Sequence, residues 1–275
     1  MAEFDVIHQY GKELEERIRL RTFPLAVKLL KEQSDIPEGA QRPMKDFGYH
    51  LATCQGFAMS RRDGMSLALL LEDMWCPESV IGYGLVAPPQ YFLDGYHHYP
   101  IGIQSLEAGS AWAHQFPRLE CGKYTGVVSA PLTSANFVPD VVVIYCDSAQ
   151  LGVLLMAATS KDGLEITCTV SKGGACVYSV VPPMQSGNYQ ITLPCGGDRR
   201  FAAAQHDEMI FSLPFAKMEE FISSLRFCNE GGYSLPFNTV MKPEPPLPEN
   251  YFVMGKLMGM DWMIADEQAK DRADK

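Results

Sequence analysis

Two cysteine-bracketed stretches constrain this chain more than any other feature. The first, CQGFAMSRRDGMSLALLLEDMWC, runs from Cys54 to Cys76, and the second, CVYSVVPPMQSGNYQITLPC, from Cys176 to Cys195. Each reads as a cysteine, a short helical or apolar segment, a glycine turn (Asp63-Gly64 or Ser186-Gly187), a strand and a cysteine. An apolar β-run precedes each: LAVKLL at 25–30 and VVVIYC at 141–146, the latter rich in β-branched and aromatic residues. The repeated order predicts two similar α/β halves packed as one globular unit, an α+β (mixed α/β) fold, with internal duplication as the hypothesis that would explain it. Residue identity between the halves is low. The expected boundaries are 1–125 for the half carrying Cys54 and Cys76, 126–228 for the half carrying Cys176 and Cys195, and 229–275 for an extended proline-rich segment and tail.

Apolar residues at helical spacing predict helices over 4–20, 55–62, 105–116, 147–159 and 215–227, with Asp147 capping the fourth. Further strands are expected at 65–71, 125–130, 164–170 and 208–212. In Cys76-Pro77-Glu78 the proline stands where the first helical residue belongs and an acidic residue follows in the first turn, so Cys76 is expected to cap a short helix. A thiol there feels the positive end of the helix dipole, which favours the thiolate needed for metal binding or nucleophilic attack. A single cysteine in such a setting is more often a buried core thiol.

Composition narrows the classes. A net charge of −10 opposes unassisted binding to nucleic acid or an anionic membrane, both of which recruit a positive surface. No apolar run approaches the roughly 20 residues of a membrane span. The opening MAEFDVIHQYGKELEERIRLR is charged and amphipathic, so a cytoplasmic location is expected. Eight cysteines in that compartment argue against a disulfide framework and leave buried thiols, redox chemistry or metal ligation. Cys121, Cys146, Cys168 and Cys228 lie in or beside apolar runs and read as core. The other four suit an iron–sulfur cluster or a four-cysteine zinc site, but they lack the close C-x2-C pairs of zinc ribbons and ferredoxins, so only the fold could assemble them. His97 and His98, in the aromatic loop 86–100, read as solvated, because neighbours in sequence do not readily turn both rings to one ion. Gly196 and Gly197 leave backbone amides open beside Arg199 and Arg200, which suits either an anionic group or a solvated turn.

The order TFPLAVKL, Cys54-Gln55, Cys76-Pro77 leading to Gly82-Tyr83-Gly84-Leu85, Ala130-Pro131-Leu132, Pro139-Asp140-Val141-Val142, Ala175-Cys176, then Pro194 to Arg200 with His206-Asp207-Glu208, resembles the DUF169 family over residues 10–228. The resemblance implies a largely uncharacterised family, common in anaerobic bacteria and archaea, with cysteines at the positions of Cys54, Cys76, Cys176 and Cys195. The family often has glycines after the Cys-Pro pair, where this chain has Glu78-Ser79. The leading expectation is an oxygen-sensitive metalloprotein of anaerobic metabolism, with an iron–sulfur cluster on the four cysteines. Beside it would lie a small-molecule pocket lined by Trp75, Tyr83, Arg199 and Arg200, and electrons would pass to a redox partner protein. Left open are zinc or no cofactor, a metal-free enzyme using Cys76 as nucleophile on a small acidic substrate, and a small-molecule-binding regulatory module. No Walker loop, G-x-G-x-x-G after a strand, G-x-S-x-G or H-E-x-x-H occurs. The sequence does not set the oligomeric state.

Overall fold

A computed structural model describes residues 2–237 and 247–260. The chain opens with helix α1 (Ala2–Ile18), which buries Ile7, Leu14 and Ile18, and after Pro24 runs into strand β1 (Leu25–Leu30). Helix α2 (Thr53–Asp63) stops at Gly64, whose left-handed φ of 76° returns its N–H to the Met59 carbonyl, a conformation that favours glycine. Strand β2 (Leu67–Leu70) then leads through Cys76 to the short helices α3 (Pro77–Gly82) and α4 (Gln90–Leu93). Helix α5 (Leu106–Gln115), capped by the Ser105 hydroxyl, precedes strand β3 (Gly126–Pro131).

Strand β4 (Val141–Cys146) passes into α6 (Ser148–Thr159). Asp147 caps this helix as its sequence predicts: its carboxylate accepts the Gln150 N–H at 2.9 Å, and the Gln150 side chain accepts the Asp147 N–H at 2.9 Å. Next come α7 (Ala175–Tyr178), α8 (Val181–Ser186), β5 (Gln190–Thr192), α9 (Gly196–Phe201), β6 (Met209–Pro214) and α10 (Met218–Glu230).

The six strands form one sheet in the order β2-β3-β1-β4-β6-β5, with every neighbouring pair antiparallel. Both faces are covered, which is why β1, β3 and β4 read as continuous apolar runs and not as an alternation of apolar and polar. Alternate residues still point to opposite sides. Ala26, Leu30, Val142 and Ile144 meet α1, α6 and α10 through Leu14, Leu154, Phe221 and Leu225. Leu25, Val27, Val141, Val143 and Tyr145 meet the other layer through Phe57, Ile81, Tyr83, Phe116 and Val177.

The mixed α/β expectation holds, and residues 1–235 form one compact unit. Strand order is symmetric about the β1–β4 contact: outward from it come β3 then β2 on one side and β6 then β5 on the other. This symmetry does not establish a duplication, because α6, between β4 and β5, joins the opposite layer from α2, between β1 and β2. A boundary at 125/126 cuts β3 from its partners β1 and β2.

The strand expected at 164–170 does not form. Leu164 and Val170 are exposed, and the Cys168 thiol accepts the Ile191 N–H at 3.1 Å, the bond a neighbouring strand's carbonyl would otherwise take. From Pro236 the chain belongs to a second unit, in which helix α11 (Glu249–Leu257) stands where an extended segment was expected. The prolines at 243, 245 and 246 and the acidic tail from Asp266 lie outside the described residues.

Candidate metal centre

All four cysteines of the two stretches sit at helix starts. Cys54 is the second residue of α2, Cys76 caps α3, Cys176 is the second residue of α7 and Cys195 caps α9. Local bonding explains how the first pair meets. The Leu51 N–H donates to the Asp73 carbonyl at 2.9 Å and the Trp75 N–H to the Leu51 carbonyl at 3.2 Å, so the entries to α2 and α3 run side by side. Gln55 fastens them: its side-chain oxygen accepts the Ala52 N–H at 2.8 Å and the Trp75 indole N–H at 2.9 Å. Cys54 and Cys76 then pack with Ala52, Ala58 and Ala202, the last just past α9.

The second pair arrives through close packing of helices. A Cβ on Gly82 would lie 2.4 Å from a methyl of Val177, so only glycine lets α3 approach α7 this closely. The Tyr83 hydroxyl donates to the Cys176 carbonyl at 2.9 Å. At α9 the Asp198 carboxylate closes a capping box, accepting the Cys195 N–H at 3.3 Å and the Cys195 thiol at 3.0 Å, while the Tyr145 hydroxyl donates to its other oxygen at 2.9 Å. Behind Tyr145 the Arg61 guanidinium stacks at 4.0 Å and forms a bidentate pair with Glu208 at 2.8 and 3.1 Å. A buried polar chain thus runs Glu208, Arg61, Tyr145, Asp198, Cys195.

The electrostatics of the thiols reflect this convergence. Burial pushes Cys176 well up, and negative charge on Cys54, Asp198, Cys76 or Cys195 would raise it further, so all three other thiols lie within its electrostatic reach. Burial likewise raises Cys54, with Asp198, Cys195 and Cys76 adding to it, and pushes Cys195 up to about 12, with Asp198 next. Asp198 is itself raised by burial. Opposing these effects, N–H groups aim at three of the sulfurs: Gln55 at Cys54, Glu78 and Ser79 at Cys76, and Ala175 and Asp198 at Cys195. Burial therefore favours the protonated form of all four thiols, two of them buried and two half-buried, and a positive charge among them would oppose it. Among the described residues no three of these sulfurs all lie within 4.8 Å of one another. A single tetrahedral zinc with Zn–S bonds of about 2.3 Å would need them about 3.8 Å apart.

Residues 13–224, which include all four cysteines, match the profile of the family described as "Uncharacterised ArCR", DUF169. The chain belongs to the DUF169 family. A curated relative, "Uncharacterized protein MJ0308" of Methanocaldococcus jannaschii, is 23% identical over 222 residues, covering 80% of this chain and 93% of the relative. No solved structure matches the chain.

In this DUF169 chain the remaining expected site residues differ in their settings. Tyr83 is fully buried and its hydroxyl is already committed to Cys176. Trp75 is 46% exposed and meets Phe201 edge-on, with ring centroids 5.4 Å apart. Arg199 donates to the Gln205 carbonyl at 2.6 Å, and Arg200 lies exposed 5.8 Å from the Phe201 ring. The Gly196-Gly197 amides are the first two of α9. Cys76 is raised by burial first and by Glu78 next, so its place at the start of a six-residue helix does not make it a ready thiolate. Of the four cysteines read as core, Cys146 and Cys228 are buried, Cys168 is half-buried and Cys121 is exposed. Asp198 could have been singled out from its position three residues after a helix-capping cysteine. Arg61, Tyr145 and Glu208 carry no such local signal.

Proposed function

We propose that this DUF169 protein carries an iron–sulfur cluster on Cys54, Cys76, Cys176 and Cys195 and works in electron transfer, or as a Lewis acid on a small oxygenated molecule if one cysteine is not a ligand. The observation that carries this reading is the electrostatic coupling of the Cys176 thiol to the other three, from two distant stretches, with N–H donors that favour thiolate at Cys54, Cys76 and Cys195. Raised thiol pKa values speak against a metal-free Cys76 nucleophile. A bound cluster would supply a one-electron couple and the positive charge these thiols lack. Asp198, hydrogen-bonded to the Cys195 thiol, is placed to take up its proton on ligation. The exposed Trp75–Phe201 pair, beside Cys76 and Ala202 in the chain, offers an apolar contact for a redox partner protein. In this reading the protein is cytoplasmic and belongs to anaerobic metabolism.

The test is anaerobic purification followed by iron and acid-labile sulfide analysis. The expected result is both elements in equal amounts with a broad visible absorption that dithionite bleaches. Cys54→Ser and Cys195→Ser should lose it and Cys121→Ser should keep it. A folded, colourless, iron-free protein refutes the proposal.

A further inference from the structure

His97 and His98 follow α4 in a run of turns, and this irregular backbone does what a regular one does not: it turns two neighbouring imidazoles to the same place. Their Nε2 atoms lie 3.3 and 3.0 Å from one carboxylate oxygen, Oε1 of Glu78, the second residue of α3. One ligand atom from each of the three residues lies within 4.8 Å of the other two. All three side chains are largely shielded, at 28%, 17% and 13% exposure for His97, His98 and Glu78. The solvated-loop expectation for the two histidines is therefore corrected.

The rings are held in place. His98 stands edge-on to Trp112 with centroids 4.2 Å apart, His97 packs on Phe92 at 5.6 Å, and the Trp112 indole is tethered to the Ser171 hydroxyl at 2.8 Å. A simple histidine–carboxylate cluster would have both Nε2–H groups donate to Oε1. His98 does not fit this description, because its Nε2 is shut off from solvent and, despite its 3.0 Å approach, makes no hydrogen bond of acceptable direction. A lone pair aimed past the carboxylate is the arrangement a shared cation requires. The buried Gly173 packs beside them: a Cβ added there would sit 3.5 Å from Oε1 and Oε2 of Glu78 and from Nε2 of His98, so the missing side chain leaves that volume unfilled next to two of the three ligand residues.

We propose that Glu78, His97 and His98 bind a divalent transition-metal ion, a second centre separate from the four cysteines. Two imidazoles and one carboxylate suit zinc or iron(II) and disfavour magnesium and calcium, which take all-oxygen shells. Three protein ligands leave coordination positions free for water or a small ligand.

The experiment titrates cobalt(II), a spectroscopic stand-in for zinc, into the full-length wild type, Glu78→Gln and His98→Ala. It reads bound metal by equilibrium dialysis and d–d absorption. Glu78→Gln keeps the shape of the side chain, and thermal melting of each variant checks the fold. The wild type is expected to bind one more equivalent than either variant, whatever the cysteines take up. The variants should weaken that equivalent by more than the roughly 10–100-fold that loss of an outer-shell partner costs. Iron and sulfide content, read on the same samples, should not change, which separates failure here from failure of the cluster proposal. Equal cobalt stoichiometry in the wild type and a folded Glu78→Gln overturns the inference.

Discussion

Replacing Arg61 by methionine tests the buried chain behind Cys195. Arg61 and Glu208 are 1% and 3% exposed, and two direct bonds join them. The substitution keeps much of the side-chain volume but strands the Glu208 carboxylate in the protein interior, with only the Gln205 N–H, at 2.7 Å, as a remaining donor. Breaking a buried pair in this way costs about 3–5 kcal/mol, a large share of a total stability of about 5–15 kcal/mol. At a urea m-value of about 2–3 kcal/mol per molar, the unfolding midpoint should fall by roughly 1–2 M. The double variant Arg61→Met, Glu208→Met should recover most of the loss, because apolar packing can replace both charges together. The assay is equilibrium urea unfolding of the metal-free protein, followed by circular dichroism. The reasoning fails if Arg61→Met unfolds within about 1 kcal/mol of wild type, or if the double variant is no more stable than the single.

Three further outcomes follow from individual contacts. Gly82→Ala places a Cβ 2.4 and 2.6 Å from the two methyls of the fully buried Val177. It should destabilise by about 1–3 kcal/mol, with partial rescue by Val177→Ala in the same denaturation assay. Glu13, hydrogen-bonded to Arg226 and also to Gln9 and Arg17, is lowered from its usual 4.5 to about 2. Its folded pKa is depressed, so its contribution is full above pH 4.5 and is lost as pH falls from there to about 2. The full shift is worth about 3 kcal/mol, which the half-exposed Arg226 discounts to about 1–2 kcal/mol. Glu13→Gln should flatten the pH dependence of stability over that window, and an unchanged profile would contradict the assignment. Finally, a thiol reagent should label Cys121, the exposed cysteine, well before the buried Cys54 and Cys176, and Cys121→Ser should remove the fast phase.

Much of the framework was legible because its cause is local. β1 and β4 followed from short apolar runs, the latter β-branched and aromatic, α6 from Asp147 reading as a cap, and the start of α3 from Cys76-Pro77. Where local pattern misled, a tertiary neighbour decided otherwise. Residues 164–170 alternate like a strand, yet β5 has its Ile191 N–H taken by a thiol. His97 and His98 look like solvated neighbours until Glu78, from α3, supplies a common partner.

The sequence by itself determined that Cys76 stands at a helix start, since proline geometry and first-turn charge act within a few residues. Only the tertiary structure decided that Cys54 and Cys76 pack together with Ala202, and that Tyr83 bonds the Cys176 carbonyl. The contact of Tyr83 with Cys176 depends on Gly82 letting α3 close on α7. It also decided the surroundings of the site: Arg61 and Glu208, 147 residues apart, meet because burying either charge alone costs more than burying both. Tyr83 and Arg200, expected to line one pocket, differ in exposure because packing buries the tyrosine while Arg200 stays exposed beside Phe201.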